Sequence, residues 1–240
     1  MLKKRLVAVL ICRDGKIVQS VKFKHTNVIH YDPVHAMEAF NKWSVDEIIL
    51  LNVTRDQVSK EKYIDIVSSI SKHCFVPLAV GGWITDDEYA HKLLRNGADK
   101  LVINTILSTD EKLVKRLSKK YGKQCIVASI DFKINQSGSP EVMIDRGRKT
   151  IGLSPDKWAI RVVELGAGEL LLNSIDHDGA RKGYDLKMLK LVSNSVNVPI
   201  IAFGGVFTWA HLVDGINAGA DAVAVANQFH YTEQATRKAK

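Results

Sequence analysis

The sequence has little cysteine and no long apolar run, and each shortage excludes something. Its 240 residues hold three cysteines, Cys12, Cys74 and Cys125, far apart and odd in number. That excludes a disulfide framework and shows none of the paired spacing of a zinc site, so no metal is expected and a reducing, cytoplasmic setting is. No apolar stretch approaches the roughly 18 residues a membrane-spanning helix needs, so no membrane is expected either. The basic start Met1-Leu2-Lys3-Lys4-Arg5 is followed by no long apolar stretch or small-residue cleavage site, and no signal peptide is expected. Acidic residues are in deficit: 26 Asp and Glu against 34 Lys and Arg leave a net charge of +8. The lysines are spread along helical stretches such as Lys112 to Lys120, the pattern of a solvated face rather than a nucleic-acid stripe. A phosphorylated small molecule or an acidic partner suits the charge better. With 46% hydrophobic and 25% charged residues the composition is that of a soluble globular chain, which excludes disorder.

Short apolar runs alternate with amphipathic stretches. Strands are expected near Leu6–Leu10, Ile48–Leu51, Pro77–Val80, Leu101–Asn104, Ile126–Ile130, Leu170–Asn173, Pro199–Phe203 and Ala222–Ala226. Helices are expected near Pro33–Trp43, Lys60–Lys72, Asp86–Asn96, Asp110–Lys119, Pro155–Leu165, Leu186–Ser195, Thr208–Ala218 and after Gln228. The strands are continuously apolar, as in a parallel sheet covered by helices. Eight such units suit a single (β/α)8 TIM barrel spanning residues 1–240, for which about 250 residues is typical; a doubly wound open sheet is the alternative.

An internal repeat sharpens this. Val76-Pro77, Gly81-Gly82 and Gly97-Ala98-Asp99 recur as Val198-Pro199, Gly204-Gly205 and Gly219-Ala220-Asp221. Glu47-Ile48-Ile49-Leu50 is echoed by Glu169-Leu170-Leu171-Leu172. Two half-barrels, about 1–120 and 121–240, are expected, each with a related ligand site. A barrel of this kind works at the C-terminal ends of its strands. There lie Asp131, the stretch from Asn173 to Gly179, and the two Gly-Gly turns, which can cradle phosphate on backbone N–H groups. Asp131 and Asp178 are the acid/base candidates, with loop ordering or helix capping as the other reading. Asp14-Gly15 reads as a hairpin turn, and Gln136–Pro140 belongs to a second hairpin.

These residues together are familiar. The repeat, residues 97–105 (Gly-Ala-Asp-Lys-Leu-Val-Ile-Asn-Thr), Ala-Ser-Ile-Asp at 128–131, the stretch from Gly166 to Gly179, and Gly183-Tyr184-Asp185 resemble the cyclase subunit of imidazole glycerol phosphate synthase. The likeness runs from Arg5 to about Tyr231. It implies a TIM barrel that needs no cofactor, binds a glutaminase subunit at its N-terminal face as a heterodimer, and conducts ammonia to a phosphorylated substrate at its C-terminal face. By the same resemblance Arg5, Glu47, Lys100 and Glu169 form the ammonia gate, and Asp99 and Gln124 face the partner. Asp131 is the catalytic acid. Gly81, Gly82, Asn104 and Thr105 hold one phosphate, and Asp178, Gly179, Gly204, Gly205 and Asn227 hold the other.

The departures cluster on the catalytic face. Ile11 stands where the family has its second essential acid, and Trp83 where the first phosphate loop has its third glycine. Asn52, Gln19, Asn173, Phe203 and Asn227 also differ from the pattern. An isoleucine moves no proton, so cyclase activity is expected to be weakened or lost. The resemblance extends to a divergent branch whose barrels pair with a glutaminase and feed ammonia to a separate sugar amidotransferase. Three alternatives stand beside it: a working cyclase of histidine biosynthesis, a phosphosugar isomerase on the same barrel, and a basic nucleic-acid binder.

Overall fold

A computed structural model describes residues 3–42, 45–55 and 60–226. In chain order the elements are β1 (Arg5–Arg13), β2 (Lys16–Val21), β3 (His25–His30), α1 (Pro33–Lys42), β4 (Glu47–Asn52), α2 (Lys60–Ser71), β5 (Leu78–Gly81), α3 (Asp87–Arg95) and β6 (Lys100–Ile103). A single turn α4 (Ile106–Thr109) precedes α5 (Glu111–Tyr121), β7 (Ile126–Ile134), β8 (Pro140–Ile144) and β9 (Lys149–Thr150). Then come α6 (Pro155–Leu165), β10 (Glu169–Ser174), α7 (Leu186–Ser193), β11 (Ile200–Phe203), α8 (Trp209–Asn217) and β12 (Ala222–Val225). The helix expected after Gln228 lies outside the described residues, as do Trp43 and Asn227.

Strands β1, β4, β5, β6, β7, β10, β11 and β12 pair in parallel in that order, and β12 returns to β1. The sheet is therefore a closed barrel of eight parallel strands within a ring of helices, the expected TIM barrel rather than an open sheet. Alternation along each strand explains why the runs are apolar throughout. In β1, Val7, Val9 and Ile11 point into the barrel, while Leu6, Ala8, Leu10 and Cys12 pack outward beneath the helices. Both faces are buried, so neither can be polar.

Helix starts are fixed by aspartates. The side chains of Asp86, Asp110 and Asp185 accept hydrogen bonds from the backbone N–H groups of Tyr89, Leu113 and Met188. Each satisfies a donor that the first helical turn leaves unpaired.

Two antiparallel hairpins are inserted at the C-terminal face, β2–β3 after β1 and β8–β9 after β7. Asp14 and Gly15, both at positive φ (52° and 77°), turn the chain between β1 and β2, as a tight two-residue connection requires. The hairpins meet over the barrel mouth. A Cβ built on Gly147, at the tip of β8–β9, would lie 3.3 Å from the Phe23 ring in the β2–β3 turn and 3.1 Å from Ile175.

Candidate functional site

Four charges from four strands converge at the N-terminal end of the barrel. Lys100 Nζ donates to Glu47 Oε1 and Glu169 Oε2, each at 2.8 Å. Arg5 donates from Nη1 to Glu47 and from Nη2 to Glu169. The four side chains thus form one closed ring of alternating sign. Both glutamates are buried, and a buried carboxylate is tolerable only when paired this completely. Burial alone lowers the Arg5 guanidinium, but Glu169 and then Glu47 more than reverse it, leaving it above its ordinary value. Above the ring the interior has an apolar layer, lined by Val7, Ile49, Ala79, Val127, Leu171 and Ala222 among others, with the buried Ser129 beside Leu171 nearer the mouth. On the same end of the barrel Asp99 and Gln124 are exposed. The Asp99 carboxylate accepts from Leu78 N at 2.8 Å, which fixes its direction.

At the opposite end, Asp131 sits in β7 at the rim of the mouth. Asn173 Nδ2 donates to its Oδ1 at 2.9 Å, and Asn104 Nδ2 to its Oδ2 at 3.2 Å. Burial pushes the carboxyl up to about 6, with Asp178 adding to the rise while the Asn173 hydrogen bond opposes it. A carboxyl tuned this way can both hold and release a proton near neutrality. Its counterpart on β1, Ile11, is 6% exposed and packs inside the barrel with Val9, Val18 and Phe203.

Asp178 occupies a different setting. Its Oδ2 accepts from Ser20 Oγ at 2.7 Å and Phe23 N at 3.3 Å, tying the β2–β3 hairpin to the loop after β10. Burial raises this carboxyl as well, against the hydrogen bonds from Ser20 and the loop backbone. Nothing in the sequence singles out Ser20; a serine between Gln19 and Val21 in a six-residue strand carries no signal until its partner is seen.

Of the expected phosphate residues, Asp178 and Gly179 line one cavity with Gly204 and Gly205, Asn104 and Thr105 follow the strand that pairs with Gly81, and Asn227 lies outside the described residues. A Cβ on Gly82 (φ 114°) would lie 2.4 Å from the Asn52 carbonyl oxygen, and one on Gly205 (φ 94°) 2.3 Å from the Gly183 carbonyl oxygen. Only glycine fits so close to another backbone. Beside the second turn lies a cavity of about 190 Å3, lined by Gln19, Asp178, Gly179, Gly204, Gly205 and Phe207 among others. At the first turn Trp83 holds a left-handed backbone (φ 56°), and its indole N–H donates to the Thr54 carbonyl at 2.8 Å. Asn104 is engaged with Asp131 and the Ser129 carbonyl, and Thr105 Oγ1 accepts from Asp145 N at 3.2 Å. Among the described residues no group of three or more His, Cys, Asp or Glu is placed to hold a metal ion, and no helix is long and apolar enough to cross a membrane.

Comparison with known proteins agrees with this architecture. The family model described as histidine biosynthesis protein matches residues 5–235. Imidazole glycerol phosphate synthase subunit HisF of Streptomyces coelicolor is 38% identical over 227 residues, which cover 95% of this chain and 90% of that protein. A closed parallel barrel and likeness along nearly its whole length lead to one conclusion: the chain belongs to the histidine biosynthesis protein family and is similar within it to the HisF cyclase subunit.

Proposed function

We propose that this chain is the barrel subunit of a glutamine amidotransferase of the imidazole glycerol phosphate synthase type. A glutaminase docks at the N-terminal face, against Asp99 and Gln124, and ammonia enters through the ring of Arg5, Glu47, Lys100 and Glu169. The closed ring is the observation that carries this reading. Four mutually satisfied charges plug the barrel floor, and moving one of them, the flexible Lys100, opens it. The apolar layer above suits neutral ammonia and rejects ammonium, whose desolvation would be prohibitive.

At the mouth Asp131 is the acid/base, and the two Gly-Gly turns hold the ends of a phosphorylated ligand. Cyclase activity is weakened or lost, because Ile11 removes the second proton-transfer group. The ammonia then serves an acceptor held by another enzyme, a sugar amidotransferase. One observation favours a second reading, a working cyclase in histidine biosynthesis: the Asp131 carboxyl, at about 6, is tuned for proton transfer near neutral pH.

The deciding experiment gives the purified chain ammonium and the family's phosphoribulosyl-formimino-aminoimidazole substrate, and follows substrate loss. Free ammonium bypasses the glutaminase. No turnover by a folded chain that still binds and activates a glutaminase supports the conduit reading; turnover at the family's usual rate supports the cyclase. Failure to bind any glutaminase encoded beside it would overturn the conduit reading.

A further inference from the structure

Each Gly-Gly turn has an arginine lying on an aromatic ring beside it. Next to Gly81-Gly82, the Arg146 guanidinium lies 5.4 Å from the centre of the Trp83 ring. Next to Gly204-Gly205, that of Arg181 lies 4.8 Å from the centre of the Phe207 ring. The two arginines come from unrelated segments, the β8–β9 tip and the loop after β10. Both nevertheless hold the left-handed backbone, at φ 60° and 61°. A non-glycine residue in that region is strained, and such strain persists where the surroundings impose it.

The first arginine has a donor to spare. Its Nη1 is buried without a hydrogen-bond partner, although guanidinium never sheds its proton and an unmet buried donor is costly. Among the described residues its ion-pair partner is Asp145, which is shared: Arg146 Nη2 lies 3.4 Å and Arg148 Nη2 2.9 Å from the same Oδ1. With Lys149 alongside, the hairpin tip keeps an excess of positive charge. The side chains of Asn104 and Thr105 are meanwhile occupied by Asp131, Ser129 and Asp145. At the second turn Arg181 is exposed and lines the cavity together with Gly204 and Gly205.

We propose that Arg146 and Arg181 are a matched pair of phosphate-binding residues, each held over an aromatic ring beside a Gly-Gly turn, that grip a ligand phosphorylated at both ends. This rests on the reading of the mouth as a site for a phosphorylated ligand. Guanidinium offers phosphate a forked pair of donors, and the ring beneath orders that fork before the ligand arrives.

The test is a titration of the chain alone with inorganic phosphate, followed by phosphorus NMR and Trp83 fluorescence, with acetate at equal ionic strength as the carboxylate control. Trp83→Phe assigns the fluorescence signal. We expect two phosphates per chain and weak acetate binding. Arg146→Gln should weaken the site that perturbs Trp83 by about tenfold or more, and Arg181→Gln the other by a similar factor. Arg146→Lys and Arg181→Lys, which return the charge without the fork, should recover part of the loss. Glutamine keeps length and polarity, and unchanged circular dichroism confirms that each variant is folded. If both glutamine variants bind phosphate as the parent does, the arginines are mere loop anchors and the inference falls, while the phosphorylated-ligand reading stands. If the parent binds no phosphate, both fall. Glutaminase pairing at the far face is a separate readout and bears on neither result.

Discussion

Asp131 carries its proton further up the pH scale than an ordinary carboxyl because burial outweighs the amide that donates to it. This has a cost. Below about pH 3 the group is protonated in folded and unfolded chains alike. Between its ordinary value of 3.8 and about 6 the native state keeps a proton the unfolded chain has released, so stability falls as pH rises. Above about 6 the whole penalty is present. Asp131→Asn is therefore expected to stabilise the fold by roughly 1–2 kcal/mol at pH 7.5 and to give no gain at about pH 3, measured by denaturant unfolding. The same substitution should lower any ammonium-dependent turnover by about 10²–10⁴. In the parent, turnover should decline on the acid side with an apparent pKa near 6 if the carboxylate is the working form. Asp131 was legible in the sequence because a lone acid ends an apolar run. Arg146 was not, since a basic residue in a Gly-containing turn looks like any solvated loop; only its place over Trp83 and its unmet Nη1 distinguish it.

Strand β1 shows how an element decides what chemistry a face can do. Its alternation sends Val7, Val9 and Ile11 into the barrel, so position 11 points toward the mouth whatever residue stands there. Ile11→Asp is expected to put a carboxyl opposite Asp131 and to raise ammonium-dependent turnover of the cyclase substrate. It should also destabilise the chain by about 2–3 kcal/mol, because the new acid enters an apolar cluster. Unchanged turnover in a folded variant would point to the remaining departures, Asn52 and Asn173 among them, as the barrier. The eight barrel strands were legible because both faces are buried. The Asp14-Gly15 turn marks only the reversal from β1 into β2; hairpin β2–β3 itself shows no signal in the sequence, since the residues of β3 are half-buried or exposed and carry no apolar pattern. The single turn α4 leaves no mark in the sequence, four residues being too few to show a period.

At the scale of the molecule, the ring at the barrel floor joins strands far apart in the sequence, which is why it was visible only as a resemblance. Arg5→Ala leaves both buried glutamates to Lys100 alone. It should cost about 3–5 kcal/mol of stability. In the glutaminase complex, it should also lower glutamine-dependent more than ammonium-dependent turnover, a ratio that separates gating from folding. The repeat, in turn, is visible in side-chain contacts. Asp99 accepts from Leu78 N as Asp221 accepts from Ile200 N. Ser71 reaches the Asn96 carbonyl as Ser193 reaches that of Ala218. One offset relates all of these pairs.

The pairing of β12 with β1 leaves the sheet with neither a first nor a last strand, so the order in which the strands are strung is arbitrary to the barrel. A circularly permuted chain that opens at Gly122, runs to β12 and continues through a flexible linker into β1 keeps every parallel pair described above. It should refold to the same circular dichroism spectrum with a melting temperature only a few degrees lower. A polypeptide that can be opened at its midpoint and rejoined at its ends without loss of structure would be a ring in everything but covalent bonding.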